Sequence, residues 1–371
     1  MSNIVNYIML FFAIIGGIDR IRGNKNGLGK EFEEGFKGMG SLALTMIGII
    51  SLSPFISQIM LPVLKILSQI TGADPSIFIS SILATDMGGY STSEIVAESQ
   101  LMAEYSGLIL ASMLGATISF TMPVALNLVS KEDFPFFTKG ILAGIVTIPI
   151  GMIIGGLLMS IRLKTIFINL TPVIMLSIII VTGLFKFQNT SFRAFKALGR
   201  GIVVVSSIGL LISILDFILG IKIIPNLLPF EEGLIIVGKI AVILSGAYPM
   251  FHIIKAKLSN RLNRISGKTA FNDISMLGLV SSLANCVPML AIYDKMDNKG
   301  KVINAAFAVS GAFVFGGQLG YVSGISQEIV VPFILAKLTA GISAIGLANI
   351  LLKIEDNEYK NLERGNGLEG K

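Results

Sequence analysis

Asp86 is the residue of this sequence best suited to chemistry, because it stands inside an apolar stretch, Ser81-Ile82-Leu83-Ala84-Thr85-Asp86-Met87-Gly88-Gly89-Tyr90. A carboxylate placed in hydrocarbon costs a few kcal/mol and marks a functional site by default. Tyr90 follows four residues later, and a carboxylate beside an aromatic face suits an organic ammonium, through ion pairing and cation–π attraction. The plainer reading is that Asp86 caps a half-helix by accepting from the N–H groups of Gly88 and Gly89; one carboxylate can do both. A second stretch, Ser281-Ser282-Leu283-Ala284-Asn285-Cys286-Val287-Pro288-Met289, has the same character, with Asn285 at the position matching Thr85. Asn285 either binds a substrate hydroxyl or satisfies backbone left open by a break.

Further candidates lie outside these stretches. Gln318 and Tyr321 add an amide and a phenol to the glycine-rich run Gly316-Gly317-Gln318-Leu319-Gly320-Tyr321, whose glycines also serve close helix packing. Glu34, beside Glu33, Lys30 and Lys37, is a candidate substrate contact; against that stands a solvated helix start where acidic residues complement the dipole. Lys337 either snorkels to the outer face, the simpler reading, or pairs with a carboxylate when the site is empty. Asp216, Lys239 and His252 fall at span ends and read as interfacial, and Cys286 as a small packing residue. One cysteine and one histidine leave no disulfide and no multi-histidine metal site. No catalytic set is expected: an intramembrane aspartyl pair needs a second carboxylate sharing the site, and neither Asp216 nor Asp273 carries a matching motif. Neither a metal nor a cofactor is implied.

The elements that position these residues are membrane spans. Of 371 residues, 53% are hydrophobic and 14% charged, with a mean hydropathy of +0.79, against about 25% charged in ordinary soluble domains. Eleven apolar segments recur: 4–18, 39–64, 75–90, 105–128, 139–160, 166–185, 201–220, 233–253, 270–292, 302–324 and 329–352. A soluble core cannot absorb so many runs near the ~20 residues that cross a bilayer. The first is no cleaved signal: no basic residue precedes it and no small-residue cleavage pattern follows. The net charge of +6 sits in short loops, where it sets orientation rather than binding nucleic acid.

If all eleven segments cross, basic residues do not favour the cytoplasmic side. If 75–90 and 270–292 instead enter and leave on one side, 23 Lys and Arg fall inside and only Lys65, Arg162, Lys164 and Lys222 outside, the bias expected of cytoplasmic loops. The fold class is therefore an all-α polytopic membrane protein. It has nine transmembrane helices and two re-entrant broken-helix hairpins, with the N-terminus outside and the C-terminus in the cytoplasm.

The hairpins also resemble each other. Ser81, Leu83 and Ala84 match Ser281, Leu283 and Ala284, and Gly88 falls opposite Pro288, so Gly88, Gly89 and Pro288 are the expected helix breaks. Ala143-Gly144-Ile145 matches Ala340-Gly341-Ile342. This suggests a duplication, repeat 1 at about 39–160 and repeat 2 at about 233–352, with linker spans at 166–220. Five crossings between the copies invert the second, a common secondary-transporter design with broken helices meeting at the midplane. One transmembrane domain, 1–352, precedes a polar cytoplasmic tail, 353–371.

At this point the residues point to a family. Phe32-Glu33-Glu34-Gly35-Phe36, Asp86-Met87-Gly88-Gly89-Tyr90, Tyr105-Ser106-Gly107-Leu108-Ile109-Leu110 and the run from Gly140 to Gly151 carry the resemblance. So do Gly246-Ala247-Tyr248-Pro249-Met250, Leu283-Ala284-Asn285, Gly300-Lys301-Val302-Ile303-Asn304 and Lys337-Leu338. In this order they make the chain similar to the bacterial ethanolamine permeases of ethanolamine-utilisation loci, the EutH family, over nearly its full length to about Leu352. The resemblance implies uptake of ethanolamine through the cytoplasmic membrane, by a potential-driven uniporter or, alternatively, an ion-coupled permease for another small amine or amino acid. The expected partners are ethanolamine and the bilayer, and a homo-oligomer is compatible with both. The chain departs from the family pattern at Gly317-Gln318, where an Asp-His pair stands in the family; the loss of two ionisable groups moves weight onto Asp86.

Overall fold

The computed structural model describes residues 2–266 and 272–366, and among these there is no strand. The start of the 270–292 segment and residues 367–371 of the tail lie outside the described residues. Helix α1 (Ser2–Ile21) ends in a turn through Gly23 and Asn24, both at positive φ. Asp19 closes that turn by accepting from Asn26 N and Gly29 N at 3.0 and 2.9 Å. Helix α2 (Leu28–Thr71) has 44 residues, a length of about 66 Å at ~1.5 Å per residue, so it projects well beyond a hydrocarbon layer of about 30 Å. Gly72 stops it at φ 73°, donating to Ser68 O at 2.7 Å, as a left-handed terminator does.

Two short arms follow, α3 (Pro75–Ser80) and α4 (Tyr90–Val96), then four long apolar helices: α5 (Gln100–Leu128), α6 (Phe134–Leu158), α7 (Leu163–Lys186) and α8 (Gln188–Leu219). Next comes α9 (Phe230–Ser266), then a second pair of arms, α10 (Asp273–Ser282) and α11 (Cys286–Ala291). A broken helix, α12 (Asn298–Ser310) and α13 (Gly317–Ile325), leads to α14 (Val330–Asn366), which carries the first part of the polar tail as helix. Seven helices among the described residues are long and apolar enough to cross a membrane: α2, α5, α6, α7, α8, α9 and α14. Of the apolar window of α5, 83% is buried, against 22% for α8. The first is therefore the core of the bundle and the second its lipid-facing rim.

Each pair of arms is tied at its base. Asp74 caps α3 by accepting from Ser76 N, and its other oxygen accepts from Glu98 N, just past α4, at 3.0 Å. Midway up, Ser80 Oγ and Ser93 Oγ meet at 2.7 Å. At the second pair Asn272 caps α10, and Asp297, beyond α11, accepts from Asn272 N at 3.1 Å and Ser275 Oγ at 2.6 Å. Chain that leaves the bundle surface at 74 or 272 thus returns beside its own starting point. We call these pairs the first and second hairpins.

The long helices α2 and α9 begin with the same letters, Phe32-Glu33-Glu34-Gly35 and Phe230-Glu231-Glu232-Gly233, 198 positions apart. They pack on each other reciprocally. A Cβ on Gly35 would stand 2.5 Å from Ser245 N, and one on Gly233 would stand 3.1 Å from Ile47 Cα. Ile47 and Ser245 are also 198 apart. Residue i touching j′ while i′ touches j is the signature of a two-fold relation, and the pairing order makes the helices antiparallel. The two halves are also joined by a buried ion pair, Lys301 Nζ to Asp133 Oδ1 at 2.6 Å, and by an exposed one, Lys139 with Glu355.

Candidate functional site

The tip of the first hairpin is a turn, Thr85–Gly89, that folds on its own backbone. Ala84 O accepts from Met87 N at 3.0 Å and Gly89 N at 2.8 Å, and Ala84 N donates to Ser119 Oγ at 2.9 Å. Gly88 sits at φ 93°, where a Cβ would come within 2.3 Å of Ile49 Cγ2, so both conformation and space require glycine there. Because Ala84 O holds the Gly89 amide, Asp86 does not cap the arm that follows, and α4 has no side-chain cap. The carboxylate is left on the turn without that duty. Thr85 beside it is fully buried, and its hydroxyl has no hydrogen-bond partner among the described residues.

Lys337 does not snorkel. It is 0% exposed, and Nζ donates to Ser112 O at 2.6 Å and Gln318 Oε1 at 2.8 Å, 5.4 Å from the Phe333 ring centre. The reason is that two acceptors, one the carbonyl of α5 and one the amide of α13, lie within reach of the short path inward. The Thr85–Gly89 turn that carries Asp86 packs against α13, the helix of Gln318 and Tyr321. Tyr321 and Tyr90 meet edge to face, ring centres 6.3 Å apart, and Tyr90 Oη donates to Glu94 and accepts from Gln100. Lys337 with Gln318, and Tyr321 with Tyr90, are thus brought by α13 to the turn that bears Asp86.

The second hairpin breaks at Leu283–Asn285 rather than at Pro288. Asn285 caps α11 by accepting from Val287 N at 2.9 Å, and Pro288 is the third residue of that helix, within the first turn, whose N–H groups have no helical partner to lose. The break in α12–α13 reaches across to this tip: Phe313 N donates to Ser282 O at 3.0 Å and Phe315 N to Leu283 O at 2.8 Å.

Two cavities open beside the hairpins. One, of about 420 Å³, lies against the first hairpin and is lined by Tyr90, Ser91, Glu94 and Tyr321, with Ile50, Ser53 and Pro54 of α2 and Glu232 of α9. The other, of about 550 Å³, lies against the second hairpin, by Ala284, Asn285 and Pro288, with Tyr248, Phe251 and His252 of α9 and Glu34 of α2. Ile50, Ser53, Pro54 and Glu34 stand 198 positions before Tyr248, Phe251, His252 and Glu232. The cavities are thus built from corresponding positions, with the helices exchanged.

The expected site residues consequently divide. Asp86, Thr85, Tyr90, Gln318, Tyr321 and Lys337 belong to the first hairpin and its surroundings. Asn285 and Glu34 line the other cavity, where Glu34 is half exposed and pairs with Lys37 at 3.0 Å. Glu94, Glu232 and Tyr248 were not among the expected residues. The signal for Glu232 was present in the repeat of Phe-Glu-Glu-Gly and that for Tyr248 only in the family run 246–250; Glu94 carries none, since only folding brings it to a cavity.

Comparison with known proteins follows the same line. A family profile described as "Ethanolamine utilisation protein, EutH" matches residues 1–351. The chain is 39% identical over 371 residues to "Probable ethanolamine permease EutH" of Listeria monocytogenes, covering 99% of this chain and all of that one. It is 36% identical to the protein of the same name in Escherichia coli, over 96% of this chain and 97% of that one. It is also 40% identical to "Uncharacterized protein YxeR" of Bacillus subtilis, over 94% of each. No solved structure matches. With a family profile and full-length relatives in agreement, this chain belongs to the EutH family of ethanolamine-utilisation proteins.

Proposed function

We propose that this chain is a uniporter that takes up ethanolamine as its ammonium cation through the cytoplasmic membrane. The observation that carries the reading is Asp86, an acid on a glycine turn at the tip of a hairpin whose base is tied shut, in a bundle that also buries Lys337. The names of the relatives supply the substrate. The supporting topology is nine spans and two re-entrant hairpins in two inverted repeats, at about 39–160 and 233–352. Two features support it: the antiparallel Phe-Glu-Glu-Gly helices and the side preference of basic loops. On this topology the N-terminus and the first-hairpin cavity face outward, and the second-hairpin cavity and C-terminus face the cytoplasm.

The chemistry follows from charge. A primary alkyl ammonium has a pKa near 10.4, like lysine, so ethanolamine is cationic at neutral pH and crosses lipid poorly. Asp86 accepts the ammonium, Tyr90 and Tyr321 cover it, and Thr85 or Gln318 meets the hydroxyl, while Asn285 lines the other cavity; Lys337 balances Asp86 when the site is empty. The loaded protein carries one more positive charge than the empty one. An inside-negative potential therefore drives the loaded step inward with about 2.3 kcal/mol per 100 mV, and no coupling ion is needed.

The test is uptake of labelled ethanolamine into proteoliposomes under an imposed potential, a pH gradient or a Na⁺ gradient. Potential alone drives uptake, and Asp86→Asn abolishes it at normal membrane levels. Strict dependence on Na⁺ would replace uniport with coupled transport, and full uptake by Asp86→Asn would remove Asp86 from the site.

A further inference from the structure

We propose that the first-hairpin cavity is a second ammonium-binding site, separate from Asp86, in which Glu94 and Glu232 hold the cation and Ser91 meets its hydroxyl. The proposal rests on the reading of the chain as a carrier of a small hydroxylated ammonium. Three observations support it.

First, Ser91 lines the cavity, is only 8% exposed, and its hydroxyl has no hydrogen-bond partner among the described residues. A buried hydroxyl left unpaired costs free energy, and a ligand hydroxyl in the cavity would satisfy it. Second, the cavity carries two carboxylates and no basic side chain, and its floor is the edge-to-face pair Tyr90–Tyr321. The tyrosine faces complement a cation, and Tyr90 Oη holds Glu94 in place at 3.2 Å.

Third, the corresponding cavity on the other hairpin differs in its balance of charge. Glu34 stands where Glu232 stands, yet there Glu31 and Glu34 share the wall with Lys255 and with His252, whose Nδ1 lies 3.2 Å from Glu31 Oε1. Two acids with no base make a field that concentrates cations, whereas acids already facing a lysine do so less. The first-hairpin cavity is thus the capture side and the second-hairpin cavity the release side. For a uniporter this asymmetry leaves the final gradient untouched and sets the half-saturation on each side.

The deciding experiment is equilibrium binding of labelled ethanolamine to the purified full chain in lipid nanodiscs. Asp86→Asn, which removes the central acid, retains saturable binding. Adding Glu94→Gln and Glu232→Gln weakens that binding about tenfold. Ser91→Ala on the Asp86→Asn background weakens ethanolamine binding but leaves ethylammonium, which has no hydroxyl, unchanged. In uptake by the otherwise native protein, Glu232→Gln raises KM about threefold, half of the double variant's effect on a logarithmic scale, with little change in the maximal rate, which also shows that the variant folds. Absence of saturable binding in Asp86→Asn, or binding indifferent to the two glutamates, overturns the site even if the native protein transports ethanolamine. Persistent glutamate-dependent binding in a chain that transports nothing would keep this site and remove the transport reading.

Discussion

At the tip of the first hairpin Ala84 O takes two amides of its own turn, and one side chain, Ser119, reaches it from the neighbouring helix. At the tip of the second, Ser282 O and Leu283 O take main-chain amides from the break between α12 and α13. The same demand, open backbone groups within a membrane bundle, is met once inside the turn and once by the next helix. The helix beside the first tip, α5, can stay continuous; the one beside the second has to break. The acid stands on the self-contained tip, and an amide that caps its own helix stands on the tethered one. The two halves share a plan, but their tips have been given different work: one presents a free carboxylate, the other anchors.

The largest loss of stability is expected at the seams that hold the halves together. Lys301 and Asp133 are each 9% exposed in their side chains. Lys301→Ala leaves a carboxylate unpaired in the interior, and a loss of about 3–5 kcal/mol is expected for one member of a buried pair. Lys139→Ala, at the exposed seam with Glu355, is expected to cost about 0–1 kcal/mol. Unfolding in detergent of the two variants side by side checks this, and equal losses would mean that burial is not what gives the inner seam its weight.

Function should be as unequal as the tips. Asp86→Asn is expected to lower ethanolamine uptake by at least about a hundredfold, the scale of a few kcal/mol attached to an intramembrane charge. Asn285→Ala, which removes only the cap on α11, is expected to lower it by a few-fold, in line with about 1 kcal/mol for a capping side chain. Equal losses would place the substrate symmetrically between the tips.

Hydrogen exchange sharpens the contrast. The amides of Phe313 and Phe315 bridge two elements, while those of Met87 and Gly89 serve a single turn. The first pair should therefore exchange at least about tenfold more slowly, as expected where opening requires two elements to part. The reverse order would make the first hairpin the fixed one.

Membrane class was legible because hydropathy needs no tertiary information. The location of the breaks was less so. Gly88 announced its turn, since only glycine suits φ 93° beside Ile49. Pro288 misled, because proline suits a first helical turn as well as a break. Lys337 could not be placed from sequence: snorkelling is favoured by default, and the acceptors that reverse it, Ser112 O and Gln318 Oε1, come from residues 225 and 19 positions away. Equally hidden was the division of the site residues between two cavities, because it depends on α2 and α9 running antiparallel.

The smallest expected effect lies at the base of the second hairpin. Asp297 accepts from Ser275 Oγ at 2.6 Å, and from Asn272 N and Gly300 N at 3.1 Å each. Burial pushes its carboxyl up, but these hydrogen bonds together outweigh burial and hold it below its ordinary value. A carboxyl more acidic folded than unfolded binds its proton more weakly in the native state, so the stabilisation is complete above the unfolded value of about 3.9 and is lost as pH falls through the depressed folded one. Asp297→Asn should therefore cost about 1 kcal/mol at neutral pH, a charge-assisted hydrogen bond reduced by partial solvent access. The difference from the native protein should shrink only once pH drops below the usual carboxylate range. Thermal unfolding of the two proteins from pH 7 to pH 3 checks this. A gap that closes between pH 7 and 5 would mean that Asp297 titrates above its ordinary value, and that the second hairpin is not held at its base by an ionised acid.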